Sequence, residues 1–169
     1  DSGNPRAAIA RLRSLGMATW SIEIREPADI ASVLGQIGEA TGNTVAASEA
    51  VALARAKLDQ LRQRYAGAAP VRYFYQVASS PLFTINGQHL VSRGFGLCGG
   101  VNIFQDAAML APQISHGAVI AADPQVLLAS ASPGEADPLA LWLEWPRMQA
   151  VRQGRLFTLP ADEISRATP

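Results

Sequence analysis

The stretch Tyr73–Asp106 reads YFYQVASSPLFTINGQHLVSRGFGLCGGVNIFQD, and the order of residue types within it sets the architecture. Arg72–Val77 is rich in aromatic residues and reads as a strand, followed by a loop, Ala78–Phe83, that holds Ser79, Ser80 and Pro81. Gln88–Leu97 reads as a helix, weakened by Gly94 and Gly96. Gly99 and Gly100 end it before a short strand at Val101–Phe104.

The alternation continues outward in both directions. Downstream, Ser115–Ala122 predicts a helix, Asp123-Pro124 a turn, and Val126–Ala129 a strand. A loop through Pro133 and Pro138 leads to Leu139–Ala150, helical in parts and interrupted at Pro146, and Arg155–Leu159 is the last strand. Upstream, Gly67–Pro70 separates this region from a long helix over Thr44–Tyr65. Its apolar stripe is Val51, Ala54, Leu58, Leu61 and Tyr65, and its solvated side carries Arg55, Asp59 and Arg62. Such a helix is either an ordinary layer or a strut between two lobes, and periodicity leaves both open. A further helix begins near Pro27, carries Ile30, Val33, Leu34 and Ile37, and stops at Gly42-Asn43. Before it, Met17–Ile24 alternates Trp20, Ile22 and Ile24 with Thr19, Ser21 and Glu23, the pattern of a half-buried strand. The first helix has Asn4 as cap, Pro5 at its first position, Ile9, Leu12 and Leu15 on one side, and Gly16 at its end. Strands alternating with helices predict an α/β fold with a mainly parallel sheet flanked by helices.

The chain has 169 residues, 49% of them hydrophobic and 17% charged, enough apolar material for a packed core and too little charge for disorder. Fourteen basic residues balance fourteen acidic ones, which argues against a nucleic-acid-binding surface. The apolar runs are too short to span a bilayer. A single cysteine, Cys98, excludes an internal disulfide and a multi-thiolate metal site. Asp1–Arg6 is polar and no apolar signal core follows, the pattern of a cytoplasmic chain or of one whose N-terminal part has been removed.

No catalytic signature stands out. Cys98 with His89 or His116 would be a nucleophile–base pair, but Cys98 lies between Leu97 and two glycines, the setting of a small buried residue at a helix end. The two histidines lack a third metal ligand at recognisable spacing. The run GFGLCGG follows a helix rather than a strand and fits no phosphate-binding loop. Asp162 and Glu163 follow the last strand, where an α/β sheet borders its ligand crevice, although Asp162 equally suits a helix cap. Arg166 lies four residues on, placed to pair with Asp162 or to face a ligand. Trp142 and Trp145 read as packing anchors.

Within the quoted stretch, Thr84-Ile85-Asn86-Gly87 and Cys98-Gly99-Gly100-Val101-Asn102-Ile103-Phe104 carry a more specific signal. Ala111-Pro112-Gln113-Ile114-Ser115, Asp123-Pro124-Gln125-Val126, the segment from Asp162 to Pro169, and Gly3-Asn4-Pro5 add to it. Together they resemble the helical-backbone periplasmic binding proteins of ABC importers, a family that captures cobalamin, iron–siderophores and haem. The likeness is to its cobalamin-binding members and spans essentially the whole chain. It implies two α/β lobes joined by one long helix, with the ligand clamped between them. On that reading residues 1–43 are the remnant of a first lobe, 44–66 the linking helix, and 67–169 a second lobe without its C-terminal helix. The chain is then expected to be a piece of a longer protein.

The resemblance further implies a ligand-binding, non-catalytic role in the periplasm, delivering cobalamin or a related corrinoid to the importer's permease. A ferric siderophore or haem is the alternative cargo, and a Cys98-dependent hydrolase or transferase, or an α/β interaction domain, the alternative of another class. No cofactor and no bound metal of the protein's own is implied. Asp162 and Arg166 match the acid and arginine that approach the corrin side chains, and Val77, Ala78, Ser79 and Phe83 fall on the ligand-facing rim. Gly3 and Asn4 fall in the glycine-asparagine loop of the first lobe. Two positions depart from the family. Ala111 stands where a tryptophan precedes Pro-Gln, and Gly117 where a glutamate meets importer arginines, leaving Glu135 or Glu163 as substitutes. Exposed strut and lobe surfaces would also offer a route to dimerisation or swapping.

Overall fold

A computed structural model describes residues 5–164; Gly3, Asn4 and Arg166 lie outside the described residues. Helix α1 spans Arg6–Ser14 with Pro5 at its cap position, and Gly16 leaves it with φ +76°. Helix α2 spans Pro27–Thr41. It begins there because Asp29 Oδ2 accepts from the backbone N–H of Glu26 at 2.8 Å, closing a capping box, and Pro27 donates nothing at the first position. It ends at Gly42, in the left-handed region at φ +74°. Helix α3, Thr44–Arg64, runs back along α2, and at 1.5 Å per residue its 21 residues span roughly 32 Å. The predicted stripe is the side that packs, with Ala54 buried and Val51, Leu58 and Leu61 half-buried.

The remaining elements form the sheet and its covers. Strand β1 is Val71–Gln76, followed by a small antiparallel hairpin of β2, Ala78–Ser79, and β3, Leu82–Phe83. Helix α4 is Leu90–Leu97 and strand β4 Gly100–Asn102. Helix α5 is His116–Ala122, capped by Ser115 Oγ accepting from Ala118 N at 3.1 Å, and strand β5 is Val126–Ala131. After a 3₁₀ turn at Ala140–Glu144 come α6, Gln149–Arg152, β6, Leu156–Pro160, and the short α7, Ala161–Ile164. The sheet order is β4-β1-β5-β6 and every pairing is parallel.

Because side chains alternate across a strand, β1 sends Phe74 and Gln76 to one face and Tyr73 and Tyr75 to the other. The Phe74 face packs Leu127, Ala129, Val119, Leu139, Trp142, Met148 and Ala150 into one cluster. The Tyr73–Tyr75 face packs Ile85, with Val91 and Phe95 of α4, Val126 and Leu128 of β5, and Ile164 of α7. Both faces are apolar, as a parallel sheet with helices on each side requires.

The predicted strand at Met17–Ile24 is not formed. Ile22 and Ile24 are half-buried and Ser21 and Glu23 exposed, but Trp20 is exposed and Thr19 half-buried, so the alternation holds only over residues 21–24, and the segment pairs with no strand among the described residues. A strand needs a hydrogen-bonding neighbour, which alternation does not supply. Smaller differences follow from capping: His89 caps α4, so the helix starts at Leu90 rather than Gln88. Asp162 lies within the first turn of α7, not at its cap.

Candidate functional site

The strand order fixes where a ligand crevice can form. From β1 the chain reaches β4 through α4 on the tyrosine face, then passes back beyond β1 to β5 through α5 on the phenylalanine face. Connections therefore diverge between β1 and β5, and the carboxyl ends of those two strands are left open. A cavity of about 700 Å³ lies there, a volume suited to a small-molecule ligand. Tyr75 and Val77 come to it from the end of β1, and Ser130 from the end of β5. Ile85, Leu90, Val91 and Phe95 form its apolar wall, Pro27 and Ile30 of α2 stand opposite, and Ala111, Glu163 and Ile164 complete the lining.

Few polar groups reach this apolar space. The Tyr75 hydroxyl lies 3.1 Å from Ser130 Oγ, and burial pushes its pKa up against that hydrogen bond, so it stays protonated. His89 also lines the cavity. Its Nδ1 accepts from Val91 N at 3.2 Å, and burial pushes the imidazole pKa down, which favours the neutral ring. From within α4, Arg93 forms an ion pair with Glu26, the residue that caps α2, and so ties the two helices that flank the cavity. Both side chains are partly exposed, so the pair contributes at most about 1 kcal/mol.

The rim is held by buried polar bonds. Gln76 is 3% exposed; its Oε1 accepts from Trp142 Nε1 at 2.7 Å, while Nε2 donates to Ser79 Oγ at 3.0 Å and to Pro138 O at 2.6 Å. This anchors the β2–β3 hairpin, whose Ser80–Pro81 peptide is cis and whose Phe83 carbonyl accepts from Val77 N at 2.9 Å. Of the residues the sequence singles out, Val77 and Ala111 line the cavity. Ala78 and Ser79 are exposed on the adjoining hairpin, and Phe83 is half-buried and bridged to Gln113. Asp162 is exposed, and its neighbour Glu163 is the acid that reaches the lining.

The motifs that make the sequence distinctive are scaffolding beneath this site. Thr84, fully buried, donates to Tyr75 O at 2.7 Å. Asn86 donates to Ala107 O at 2.9 Å and accepts from Gln88 N. Asn102 donates to Ile85 O at 2.8 Å and to Ser92 Oγ at 3.0 Å, and accepts from Phe104 N. Buried amides satisfied on every side fix loop paths to within the tolerance of a hydrogen bond. Gly100 is required beside them, because a Cβ there would lie 3.0 Å from Phe95 O and 3.1 Å from the Tyr73 ring.

The other reactive side chains are placed elsewhere. Cys98 caps the end of α4 beside a small space of about 130 Å³, and burial pushes its thiol pKa up, away from the thiolate. His116 stacks on Trp145 with ring centres 6.0 Å apart and lies 5.3 Å from the buried Trp142, on the face opposite His89. No group of three histidines, cysteines or acids is placed to hold a metal ion among the described residues, and no helix among them is long and apolar enough to cross a membrane.

Residues 2–163 match the family described as periplasmic binding protein. The vitamin B12-binding protein of Vibrio cholerae serotype O1 is 33% identical over 169 residues, an alignment covering 99% of this chain and 60% of that protein. The vitamin B12-binding protein of Yersinia pestis is also 33% identical, over 168 residues and 58% of its length. The chain thus spans about three-fifths of the length of the curated relatives it matches. Among solved structures, the periplasmic vitamin B12 binding protein of Vibrio cholerae superposes with a TM-score of 0.86 at 33% identity, covering 99% of this chain and 65% of that one. A periplasmic haem-binding protein of Vibrio cholerae superposes at 0.79 with 17% identity, covering 97% and 66%, a likeness of fold alone.

Proposed function

Since the chain belongs to the periplasmic binding protein family, we propose that it captures a corrinoid, cobalamin foremost, in the periplasm and passes it to an ABC importer. The observation that carries this reading is the apolar cavity at the β1–β5 switch point, in a chain 33% identical to a vitamin B12-binding protein. A corrin is a broad, largely apolar ring edged with amides. It suits a wall of Ile85, Val91 and Phe95 interrupted by a few donors and acceptors. Capture needs no bond to be broken, so a raised thiol pKa at Cys98 and histidines given over to capping and stacking are in keeping with it. In this reading α3 is the rod between two jaws, the second jaw being the sheet from β1 onward. Val77, Ala78, Ser79, Phe83, Ala111 and Asp162 form its ligand-facing rim, with Arg166, Gly3 and Asn4 as further contacts.

Ala111 favours a second cargo of the same class. It lines the cavity where an indole is expected, and the smaller side chain admits a bulkier or rounder ligand such as a ferric chelate. Titration with cyanocobalamin and with ferrichrome, followed by tryptophan fluorescence, separates the two. Saturable quenching by cyanocobalamin at the lower concentration supports the corrinoid, whereas tighter ferrichrome binding reverses the order. The enzyme reading is tested at the thiol: Cys98→Ser is expected to leave cyanocobalamin affinity unchanged, and Cys98 to react slowly with a disulfide reagent at pH 7.

Gly117 bears on delivery. A Cβ there meets only Ser115 Oγ, at 3.8 Å, so the second position of α5 has room for a side chain, and an acid near a helix N-terminus is favoured by its dipole.

A further inference from the structure

We propose that His89 is a ligand-contacting residue of the cavity. It donates an Nε2–H hydrogen bond to a carbonyl oxygen on the ligand's periphery rather than giving a lone pair to the ligand's metal. The inference rests on the corrinoid reading above and adds to it a named contact and its chemistry.

The argument starts at the helix. His89 occupies the cap position of α4, with φ −69° and ψ 140°, and its Nδ1 lies 3.2 Å from Val91 N. A backbone N–H can only donate, so Nδ1 carries a lone pair, and in a neutral imidazole the single proton is then on Nε2. Burial favours that neutral form. Among the described residues Nε2–H has no protein partner, while the ring lines an otherwise apolar wall between Ile85 and Leu90. The cavity therefore contains a donor whose tautomer is set by the fold and whose valence is open. A carbonyl oxygen of a peripheral amide completes it.

Coordination to a metal is disfavoured by the same geometry. Nε2 would have to lose its proton, and the neutral ring would then carry it on Nδ1, facing the Val91 N–H donor to donor. Helix α4 would lose its cap, and the Val91 N–H would be left without its acceptor. The Tyr75 hydroxyl spends its proton on Ser130 Oγ, which leaves the Ser130 O–H as a second donor on the lining, at the end of β5 rather than at the start of α4. Glu163 supplies an acceptor on the same lining, so an amide could be met at both its oxygen and its nitrogen.

The test is a titration of the chain, labelled with ¹⁵N on imidazole and backbone, with cyanocobalamin to millimolar concentration. The variant His89→Asn is measured alongside, because asparagine is a good helix cap and keeps α4 while removing the ring. The expected result is an Nε2-protonated His89 both free and bound, whose Nε2 and Hε2 resonances move together with the amides of Val77 and Ala111. His89→Asn should unfold at the wild-type midpoint but bind cyanocobalamin roughly 2- to 10-fold more weakly, the worth of one neutral hydrogen bond. If the Val77 and Ala111 amides move while the ring does not, and His89→Asn binds as wild type, the His89 contact is wrong and the corrinoid reading stands. An Nδ1-protonated ring in the complex overturns the donor assignment. If neither amides nor ring respond, the corrinoid reading fails and this inference with it.

Discussion

Burial around His89 lowers the pKa of its imidazole below the usual 6.5, and that shift makes folding depend on pH. Between the lowered folded value and the ordinary unfolded one, the unfolded chain binds a proton that the folded chain refuses. Stability therefore rises with pH across that window. The contribution is fully present above about pH 6.5 and is lost as the pH falls toward the folded value. Protonation also converts Nδ1 from acceptor to donor and breaks the cap on Val91 N. Urea unfolding at pH 7.5 and pH 5.5 should show wild type losing more stability on acidification than His89→Asn, the difference isolating this one ring. Equal losses in the two proteins would contradict it. The role of His89 is only half legible in the sequence: a histidine just before an apolar helix is a weak capping signal, and Ser115 before α5 is a stronger one. Its place in a cavity is not legible at all, because Tyr75 and Ser130, which share that cavity, meet only when β1 and β5 pair. Glu163 was readable as a residue after a strand, but which of two adjacent acids faces inward depends on where α7 starts.

The two antiparallel helices α2 and α3 meet closely at one point, and two glycines of α2 give a matched test of it. A Cβ at Gly38 would collide with the Cβ of Ala47 and lie 3.3 Å from Asn43 O, whereas one at Gly35 would meet only Val51 Cγ2 at 3.8 Å. Gly38→Ala should therefore push the helices apart and destabilise the chain by roughly 1–3 kcal/mol, the usual cost of overpacking. Gly35→Ala should be neutral or stabilising by up to about 1 kcal/mol, since alanine is the better helix former. Chemical unfolding of the two variants checks the order, and a Gly38→Ala chain as stable as Gly35→Ala would show that the helices are not in this register. At this scale most of the fold could be read in advance, for physical reasons that differ by element. Caps and breakers such as Pro27, Gly42 and Ser115 act within a few residues, so helix limits are local information. The aromatic β1 is buried on both faces and announces itself by composition. The segment Met17–Ile24 failed because its half-buried Ile22 and Ile24 report a face, while strand formation depends on a neighbour that no local pattern encodes. The polar motif around Asn86 and Asn102 was legible as a signature, yet its residues bond to backbone and support the site from below rather than touching its cavity.

The molecule as a whole exposes more surface than its mass warrants. Its accessible area is 10670 Å², against roughly 8,000 Å² for a compact monomer of 17.9 kDa by the usual scaling. Large apolar side chains are exposed both before the sheet, where Leu15 is 61% exposed, Val45 73% and Leu53 58%, and after its first strand, where Met109 is 61% and Leu143 60% exposed. Apolar side chains left open in this way favour self-association. If α3 is the rod between two jaws, as proposed above, a ligand held against this jaw alone also lacks the enclosure and preorganisation of a clamp. Both effects are measurable on this chain. Cyanocobalamin is expected to bind weakly, with a dissociation constant above about 10 μM, equivalent to less than about 7 kcal/mol. Sedimentation velocity from a few micromolar upward should show the weight-average coefficient rising with concentration. Replacing Leu15 and Leu53 together by serine should flatten that rise and leave the cavity, which neither residue lines, with the same weak affinity. A strictly monomeric chain over that range would remove the apolar surface as a cause of association. Submicromolar binding by the monomer would show that the cavity at the β1–β5 switch point is sufficient alone, and that a second wall adds little to it.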